Sequence, residues 1–219
     1  MPATPPNQRT TRRSTDAHAG ARWKVPVAAA FFAVALLGAA IVLSRGTTKS
    51  SATETHAVAV SGAALAPLPD PPATDPAVGS IAPALTSASF DGAAASIRPG
   101  STPMVVMFVA HWCPHCRREV PAIVGWLHQF HAPAGVELHA VATATQSNLP
   151  NYPPSSWLAK EEWPVPTIVD DAKGSAAAAF GVTAFPYFAV LDRTGKVVMR
   201  VTGELTKAQF LSLLDDAHR

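Results

Sequence analysis

Cys113 and Cys116 are the only cysteines in the 219-residue chain, and two residues separate them. The six residues from Met104 to Val109 are all apolar, and a run of this length favours a buried strand over a membrane span. Beyond the cysteines, apolar residues recur at a helical spacing, at Val120, Ile123, Val124 and Leu127. The cysteines are therefore predicted to lie at the N-terminus of a helix that follows a core strand.

Thiols at the start of a helix are suited to thiol-disulfide exchange. The unpaired amides and the dipole of a helix N-terminus favour negative charge, so a thiol placed there ionises more easily. Cys113 is nearer the open end and is expected to be the attacking thiolate. Cys116 lies one turn along, within reach of a mixed disulfide on Cys113, and is expected to resolve it. This chemistry needs no cofactor beyond the redox-active disulfide Cys113–Cys116.

Metal binding is the alternative use of such a pair. A structural zinc site takes four ligands, and the sequence has neither a second Cys-x-x-Cys nor a closely spaced pair of histidines. Zinc is therefore disfavoured, and no metal is predicted. A non-enzymatic protein that holds Cu(I) between Cys113, Cys116 and a histidine stays open as an alternative. The other histidines considered, His128, His131 and His139, are interpreted as surface or core residues.

The motif Trp112-Cys113-Pro114-His115-Cys116, together with the run 181–186 (Gly-Val-Thr-Ala-Phe-Pro), resembles the thioredoxin superfamily from about Ser80 onward. Within that superfamily the chain is most similar to the membrane-anchored, extracytoplasmic TlpA-like branch. The resemblance implies an α/β thioredoxin-like fold over residues 84–219, with a central mixed sheet flanked by helices. The features shared with the branch are Ala82-Pro83, Phe90-Asp91-Gly92, the run 117–121 and an extra segment before Thr167.

The resemblance also implies roles for the residues around the cysteines. Pro186 corresponds to the superfamily's cis-proline, which faces the pair and leaves the backbone of Phe185 free to bind an extended substrate. Trp112 is expected to pack beside the sulfurs. Pro114 and His115 separate the cysteines as in DsbA, and His115 is expected to stabilise the thiolate and so raise the redox potential above that of thioredoxin.

Met107 departs from the superfamily's pattern. It stands where thioredoxins place a buried acid that helps to deprotonate the resolving thiol. Methionine cannot transfer protons, so water or His115 is expected to do so here.

A thiol peroxidase is a disfavoured alternative, because residues 110–112 (Ala-His-Trp) lack the threonine usual before a peroxidatic cysteine.

The N-terminal third has the composition of a tether. Residues 1–24 are polar and basic and are expected to be a disordered cytoplasmic arm, whereas residues 25–43 are uncharged and long enough for a transmembrane signal-anchor helix. The excess of cations before this helix predicts that the redox domain is extracytoplasmic. A signal peptide cleaved after Ala40 is the alternative. Residues 44–83 are rich in Ala, Ser, Thr and Pro and are interpreted as a linker.

The remaining pattern predicts the elements of the domain. Pro121 falls inside the active-site helix, where it predicts a kink or a division into two short helices. The predicted strands are 88–90 at an edge, 136–144 parallel to the core strand, 167–169, 187–191 and its hairpin partner 196–202. The predicted helices are 155–162, capped by Ser155 or Ser156, 175–180, ended by Gly181, and a final helix capped by Thr206.

These observations predict a single-pass membrane protein that exchanges disulfides with exported proteins. The Cys-Pro-His-Cys motif favours oxidation or isomerisation, whereas the TlpA-like branch includes reductants for cytochrome c maturation and copper-site assembly. A membrane redox partner is expected to reset the cysteines. The net charge of +2 gives no indication of nucleic-acid binding.

Overall fold

The computed structural model describes residues 53–71, 73–130 and 135–218. The predicted cytoplasmic arm and the predicted membrane helix at 25–43 lie outside these residues. Within the described ranges, no helix is both long enough and apolar enough to cross a bilayer.

Eight strands and four helices make up the described part of the chain. The elements are β1 (Ala59–Ser61), β2 (Ala84–Ala88), β3 (Ala94–Ile97), β4 (Met104–Val109), α1 (Pro114–Gln129), β5 (Glu137–Ala142), α2 (Pro154–Lys160), β6 (Thr167–Val169), α3 (Ser175–Ala179), β7 (Tyr187–Leu191), β8 (Val197–Thr202) and α4 (Lys207–Ala217). Five strands form a mixed sheet in the order β6-β5-β4-β7-β8, and three form a small antiparallel sheet in the order β1-β2-β3. The predicted thioredoxin-like α/β architecture is confirmed.

Strand β4 is the centre of the large sheet, parallel to β5 and antiparallel to β7. All six of its residues are buried, because alternate side chains enter two separate cores. Phe108 points into the core that includes α3, and Met107 into the core formed with α1 and α4. Since α1 begins shortly after this rigid strand ends, the strand fixes the position of the cysteines.

Several predicted elements are confirmed and others need correction. Strands β6 and β7 have the predicted bounds, and α1 is one helix that contains Pro121. Strand β2 ends at Ala88, where an edge strand was predicted to begin, because Asp91 closes the turn that follows through hydrogen bonds from Ser89 and from the backbone of Ala93. Helix α2 begins at Pro154 without a serine cap.

The predicted linker is wrong for the part that the structure describes, because residues 53–71 and 73–83 pack on the domain. Leu65 is 5% exposed, and β1 pairs with β2. The carboxylate of Asp75 accepts hydrogen bonds from the buried guanidinium of Arg200, which also donates to the carbonyl oxygen of Ala66 at 2.9 Å. We call residues 53–71 and 73–83 the N-terminal strap.

Candidate active site

The two cysteines differ in exposure. Cys113 is the N-cap residue of α1 and is 6% exposed, whereas Cys116 is 0% exposed. Both are free thiols. Burial raises the pKa of the Cys116 thiol, and the nearby Cys113 sulfur adds to the rise. The geometry therefore assigns the accessible sulfur to Cys113 and a hidden, normally protonated thiol to Cys116.

The segment before β7 supplies the opposite wall of the site. The Phe185–Pro186 peptide bond is cis, as predicted. The thiol of Cys113 donates to the carbonyl oxygen of Phe185, with 3.5 Å between sulfur and oxygen. The ring of Phe185 lies edge-on to that of Trp112, with centroids 6.1 Å apart. The indole of Trp112 donates to the carbonyl of Ala144 at 2.8 Å, and its ring packs against the core that contains both cysteines. The structure thus brings together the residues predicted to surround Cys113.

His115 is exposed and makes a contact that the sequence did not predict. Its Nδ1 atom lies 2.6 Å from Oε1 of Glu204, in the loop between β8 and α4. Arg118 binds the same carboxylate, with 3.0 Å between Nε and Oε2 and 2.6 Å between Nη2 and Oε1. Hydrogen bonds from Arg118 and His115 lower the pKa of Glu204 to about 2. Stabilisation of the thiolate by His115 stays a prediction.

Glu119 is a candidate functional residue that sequence reasoning missed. It is 1% exposed, and burial raises its pKa to about 7. Both carboxylate oxygens lie within 3.2 Å of the backbone nitrogen of Leu205, which donates to them. The charge of Glu119 contributes to the raised pKa of Cys116, one helical turn before it. The sequence pattern could have indicated this residue, since a glutamate interrupts the buried face of α1 formed by Cys116, Val120 and Ile123.

A carboxyl group whose pKa lies near neutrality, one helical turn from a protonated thiol, is a candidate acceptor for the proton of Cys116. The expectation that water or His115 moves this proton stays a prediction. Met107 is buried under the site, as its position in β4 requires, whereas the buried carboxyl group of Glu119 lies on α1.

His111, also not singled out from the sequence, anchors the rim of the site. It is 1% exposed, and its Nδ1 atom lies 2.7 Å from the carbonyl oxygen of Pro150. Its Nε2 atom accepts from the backbone of Gln146 at 3.1 Å, and Asn151 donates to its carbonyl oxygen. These partners require the neutral tautomer with hydrogen on Nδ1. The imidazole thereby holds the loop 146–151 against the segment that carries Trp112.

A cavity of about 330 Å³ opens beside Pro114, and we call it the basic groove. Three cations and one acid line it, which gives it a positive balance. Substrate segments that approach Cys113 from this side meet polar and charged groups. The lining residues are Pro114, Arg117, Arg118, Asn151, Trp157, Lys160 and Glu161.

Metal ligands are not gathered at the site. In the parts of the chain that the structure describes, no group of three or more His, Cys, Asp or Glu side chains is placed to hold a metal ion. A Cu(I) site built from Cys113, Cys116 and a histidine has no third ligand there.

Residues 77–214 match a family model described as Redoxin, which covers more than half of the chain. The chain is also similar to several solved structures. One is a thiol:disulfide interchange protein of the thioredoxin family from Chlorobium tepidum, 27% identical, with a TM-score of 0.51 over 63% of this chain and 94% of that one.

Two more distant structures share the fold. StoA from Bacillus subtilis is 20% identical, with a TM-score of 0.51 over 63% of this chain and 98% of its own. The thioredoxin domain of a thiol-disulfide oxidoreductase from Bacteroides vulgatus is 20% identical, with a TM-score of 0.50 over 64% of this chain and 96% of that one.

Proposed function

Because this chain belongs to the Redoxin family and is a thioredoxin-like thiol-disulfide oxidoreductase, we propose that it exchanges disulfides with exported proteins outside the cytoplasm. The observation that carries the proposal is the placement of Cys113 at the start of α1, against the backbone of Phe185 and with Cys116 enclosed behind it. A disulfide-bonded segment lying along Phe185 and Pro186 would present a sulfur directly to Cys113.

The first step forms a mixed disulfide. In the reducing direction, the Cys113 thiolate attacks one sulfur of the substrate disulfide, and the other substrate sulfur leaves as a thiolate that takes a proton from solvent. The side chains of Trp112 and Phe185 pack against the core that contains Cys113, which is 6% exposed. The backbone of Phe185 holds the substrate in extended form by main-chain hydrogen bonds.

The second step closes the Cys113–Cys116 disulfide. Cys116 must lose its proton before its sulfur can attack Cys113 and expel the second substrate thiolate. Glu119 accepts this proton, because its pKa of about 7 leaves it partly ionised at neutral pH and because its charge acts directly on Cys116. In the oxidising direction the same steps run backward, and Glu119 returns the proton.

The net direction that we propose is oxidation or isomerisation of the exported proteins. A histidine between the cysteines favours the thiolate, and a stabilised reduced form makes the disulfide a stronger oxidant. Reduction, as in cytochrome c maturation or copper-site assembly, is the second candidate. The observation that favours it is the contact of His115 with Glu204, because an imidazole that donates its Nδ1 hydrogen to a carboxylate does not donate it to the Cys113 sulfur.

We also propose that residues 25–43 tether the domain to the membrane and that a membrane redox partner resets the cysteines. The support is the uncharged composition of this segment and the basic residues that precede it. A protease added to intact cells should remove a tag fused to the C-terminus. A tag that stays protected until the cells are lysed would contradict this topology.

The central experiment captures substrates on Cys113. In full-length Cys116→Ala, the mixed disulfide cannot be resolved, so exported proteins should accumulate on Cys113 and separate from it under reducing conditions. The matched control is the double variant Cys113→Ser with Cys116→Ala, which has no sulfur at either position and should trap nothing. Equal recovery of proteins with both variants would contradict disulfide exchange through Cys113.

The identity of the trapped proteins and the glutathione equilibrium separate the two directions. Varied exported proteins with several cysteines, together with an equilibrium more oxidising than that of thioredoxin, would support oxidation or isomerisation. Haem-binding apoproteins and an equilibrium close to that of thioredoxin would support reduction. In a Cu(I) titration, a stoichiometric complex lost in Cys113→Ser, without any trapped protein, would support the copper-holding alternative.

A further inference from the structure

Glu204 joins the loop after β8 to the first turns of the active-site helix. Its Oε1 atom lies 2.6 Å from Nδ1 of His115 and 2.6 Å from Nη2 of Arg118. Its Oε2 atom lies 3.0 Å from Nε of Arg118, so the guanidinium binds the carboxylate through two nitrogens. Two-pronged contacts of this kind fix orientation as well as charge. One carboxylate therefore holds two basic side chains from the first turns of α1.

Arg118 is within electrostatic reach of both the carboxylate and the attacking sulfur. Its hydrogen bonds to Glu204 are the main reason that the pKa of Arg118 is raised, and the charge of Cys113 contributes in the same direction. Such coupling is reciprocal, so the guanidinium stabilises negative charge on Cys113 as well. Glu204 and Cys113 thus share one cation.

We propose that Glu204 is a positioning residue that lowers the redox potential of the Cys113–Cys116 pair, because its carboxylate engages the cations that would otherwise stabilise the Cys113 thiolate. This inference rests on the proposed function. It deepens that function by naming the group that sets how strongly the protein oxidises its substrates. Glu204 acts through Arg118 and His115, and it does not itself react.

The effect follows from the charge of the two redox forms. Two molecules of glutathione supply two electrons and two protons to the protein disulfide, which yields the dithiol and one glutathione disulfide. Cys113 releases its proton to solvent when it ionises, so only the reduced form carries a negative sulfur. Nearby positive charge therefore stabilises the reduced form alone, and a carboxylate that binds the cation weakens this stabilisation.

The test is the glutathione equilibrium of full-length Glu204→Gln at pH 8, where the guanidinium of Arg118 is charged. Replacement of the carboxylate by an amide ends the ion pair with this guanidinium and leaves its charge to act on Cys113 alone. We expect the equilibrium constant for reduction by glutathione to increase about threefold to fivefold at low ionic strength, as for one exposed charge pair. The shift should shrink in high salt, because salt screens exposed charges.

The matched control is Glu137→Gln. Glu137 also pairs with a histidine, His139, at 2.9 Å, but it lies at the start of β5, whereas Cys113 follows the opposite end of the adjacent parallel strand β4. This variant should leave the equilibrium unchanged. Glu204→Asp keeps the charge and should shift the equilibrium less than Glu204→Gln does.

A second background tests the route through Arg118. In Arg118→Gln, the substitution Glu204→Gln should change the equilibrium less than twofold, because no guanidinium remains to be released. The inference would be overturned if Glu204→Gln alone left the equilibrium constant for reduction unchanged or lowered it. It would also be overturned if Glu204→Gln raised this constant equally in the Arg118→Gln background. Failure of the wild-type cysteines to form any disulfide in the glutathione buffer would instead overturn the proposed function, and the inference with it.

Discussion

Glu119 places a carboxylate among apolar side chains, one helical turn after the resolving cysteine. Its ionisation is unfavourable in the folded protein, since burial raises its pKa to about 7. The same unfavourable charge makes it a proton acceptor of suitable strength for Cys116. Function and stability are therefore opposed at this residue, and one substitution should separate them.

Glu119→Gln should slow the step in which Cys116 attacks a mixed disulfide on Cys113 by about tenfold to a hundredfold at pH 7 to 8. In the wild type the rate of this step should rise with pH through about 7, and the variant should lose that dependence. Stopped-flow release of a thiol from a preformed mixed disulfide measures it. An unchanged rate and pH profile would exclude Glu119 as the proton acceptor.

The stability of Glu119→Gln should change in the opposite direction. A carboxyl with a raised folded pKa favours the folded state at low pH, and that contribution is lost as pH rises from the ordinary range toward 7. Above pH 7 the wild type carries a buried charge that the variant lacks. We expect a higher Tm for the variant at pH 8.5 and a much smaller difference at pH 4, measured by circular dichroism. A lower Tm at pH 8.5 would contradict this account.

The sequence predicted the reacting residues more completely than their partners. Cys113, Trp112 and Pro186 are recognisable because spacing and residue type specify them locally. Glu204 contacts residues 86 and 89 positions earlier, and nothing in its own neighbourhood distinguishes it from a surface acid. Glu119 could have been identified from the sequence, since a charged residue on the buried face of a helix is uncommon and indicates a specific role.

At the scale of elements, β4 and β7 were predictable because each is a continuous apolar run. The N-terminal strap was not, because its buried residues, which include Leu65 and Ala77, follow no helical or strand period. Its attachment depends on Arg200, whose side chain is 0% exposed and lies on β8. A cation in a strand gives no indication of which distant segment supplies its counter-charge.

Asp75→Asn should destabilise the protein by about 3 kcal/mol, because it leaves the guanidinium of Arg200 buried without its counter-charge. Hydrogen bonds from Arg200 lower the pKa of Asp75. The pair therefore stabilises the folded state at neutral pH, and this stabilisation is lost as pH falls below the ordinary range of a carboxyl. Urea unfolding at pH 7 measures the difference. As a control, Glu137→Gln breaks a surface pair and should cost less than about 1 kcal/mol. Similar decreases in the free energy of unfolding for the two variants would show that the Asp75–Arg200 pair stabilises the fold no more than a surface pair does.

At the scale of the whole molecule, the residues that the structure describes between 53 and 218 belong to one compact unit, and this unit includes the strap. The resemblance to thioredoxins implied a domain that starts at residue 84. That boundary cuts between β1 and β2, which are hydrogen-bonded neighbours, and removes Asp75 from Arg200. The folded unit is therefore larger than the part that resembles thioredoxins.

Two truncations test this boundary. A chain of residues 50–219 should fold cooperatively and retain the glutathione equilibrium of the full-length protein. A chain of residues 84–219 should unfold at a lower urea concentration, because β2 loses one of its two partner strands and Arg200 loses its counter-charge. Equal urea midpoints for the two chains would show that the strap adds nothing to the stability of the domain.

The burial of Cys116 also bears on how the protein reacts with peroxide and similar oxidants. We expect such a reagent to reach Cys113 first, because its sulfur lies nearer the surface, and to convert it to a sulfenic acid. The thiol of Cys116 should then condense with that group, which forms the disulfide and releases water. Oxidation that would otherwise continue to irreversible sulfinic and sulfonic acids should thereby end in the disulfide of the catalytic cycle.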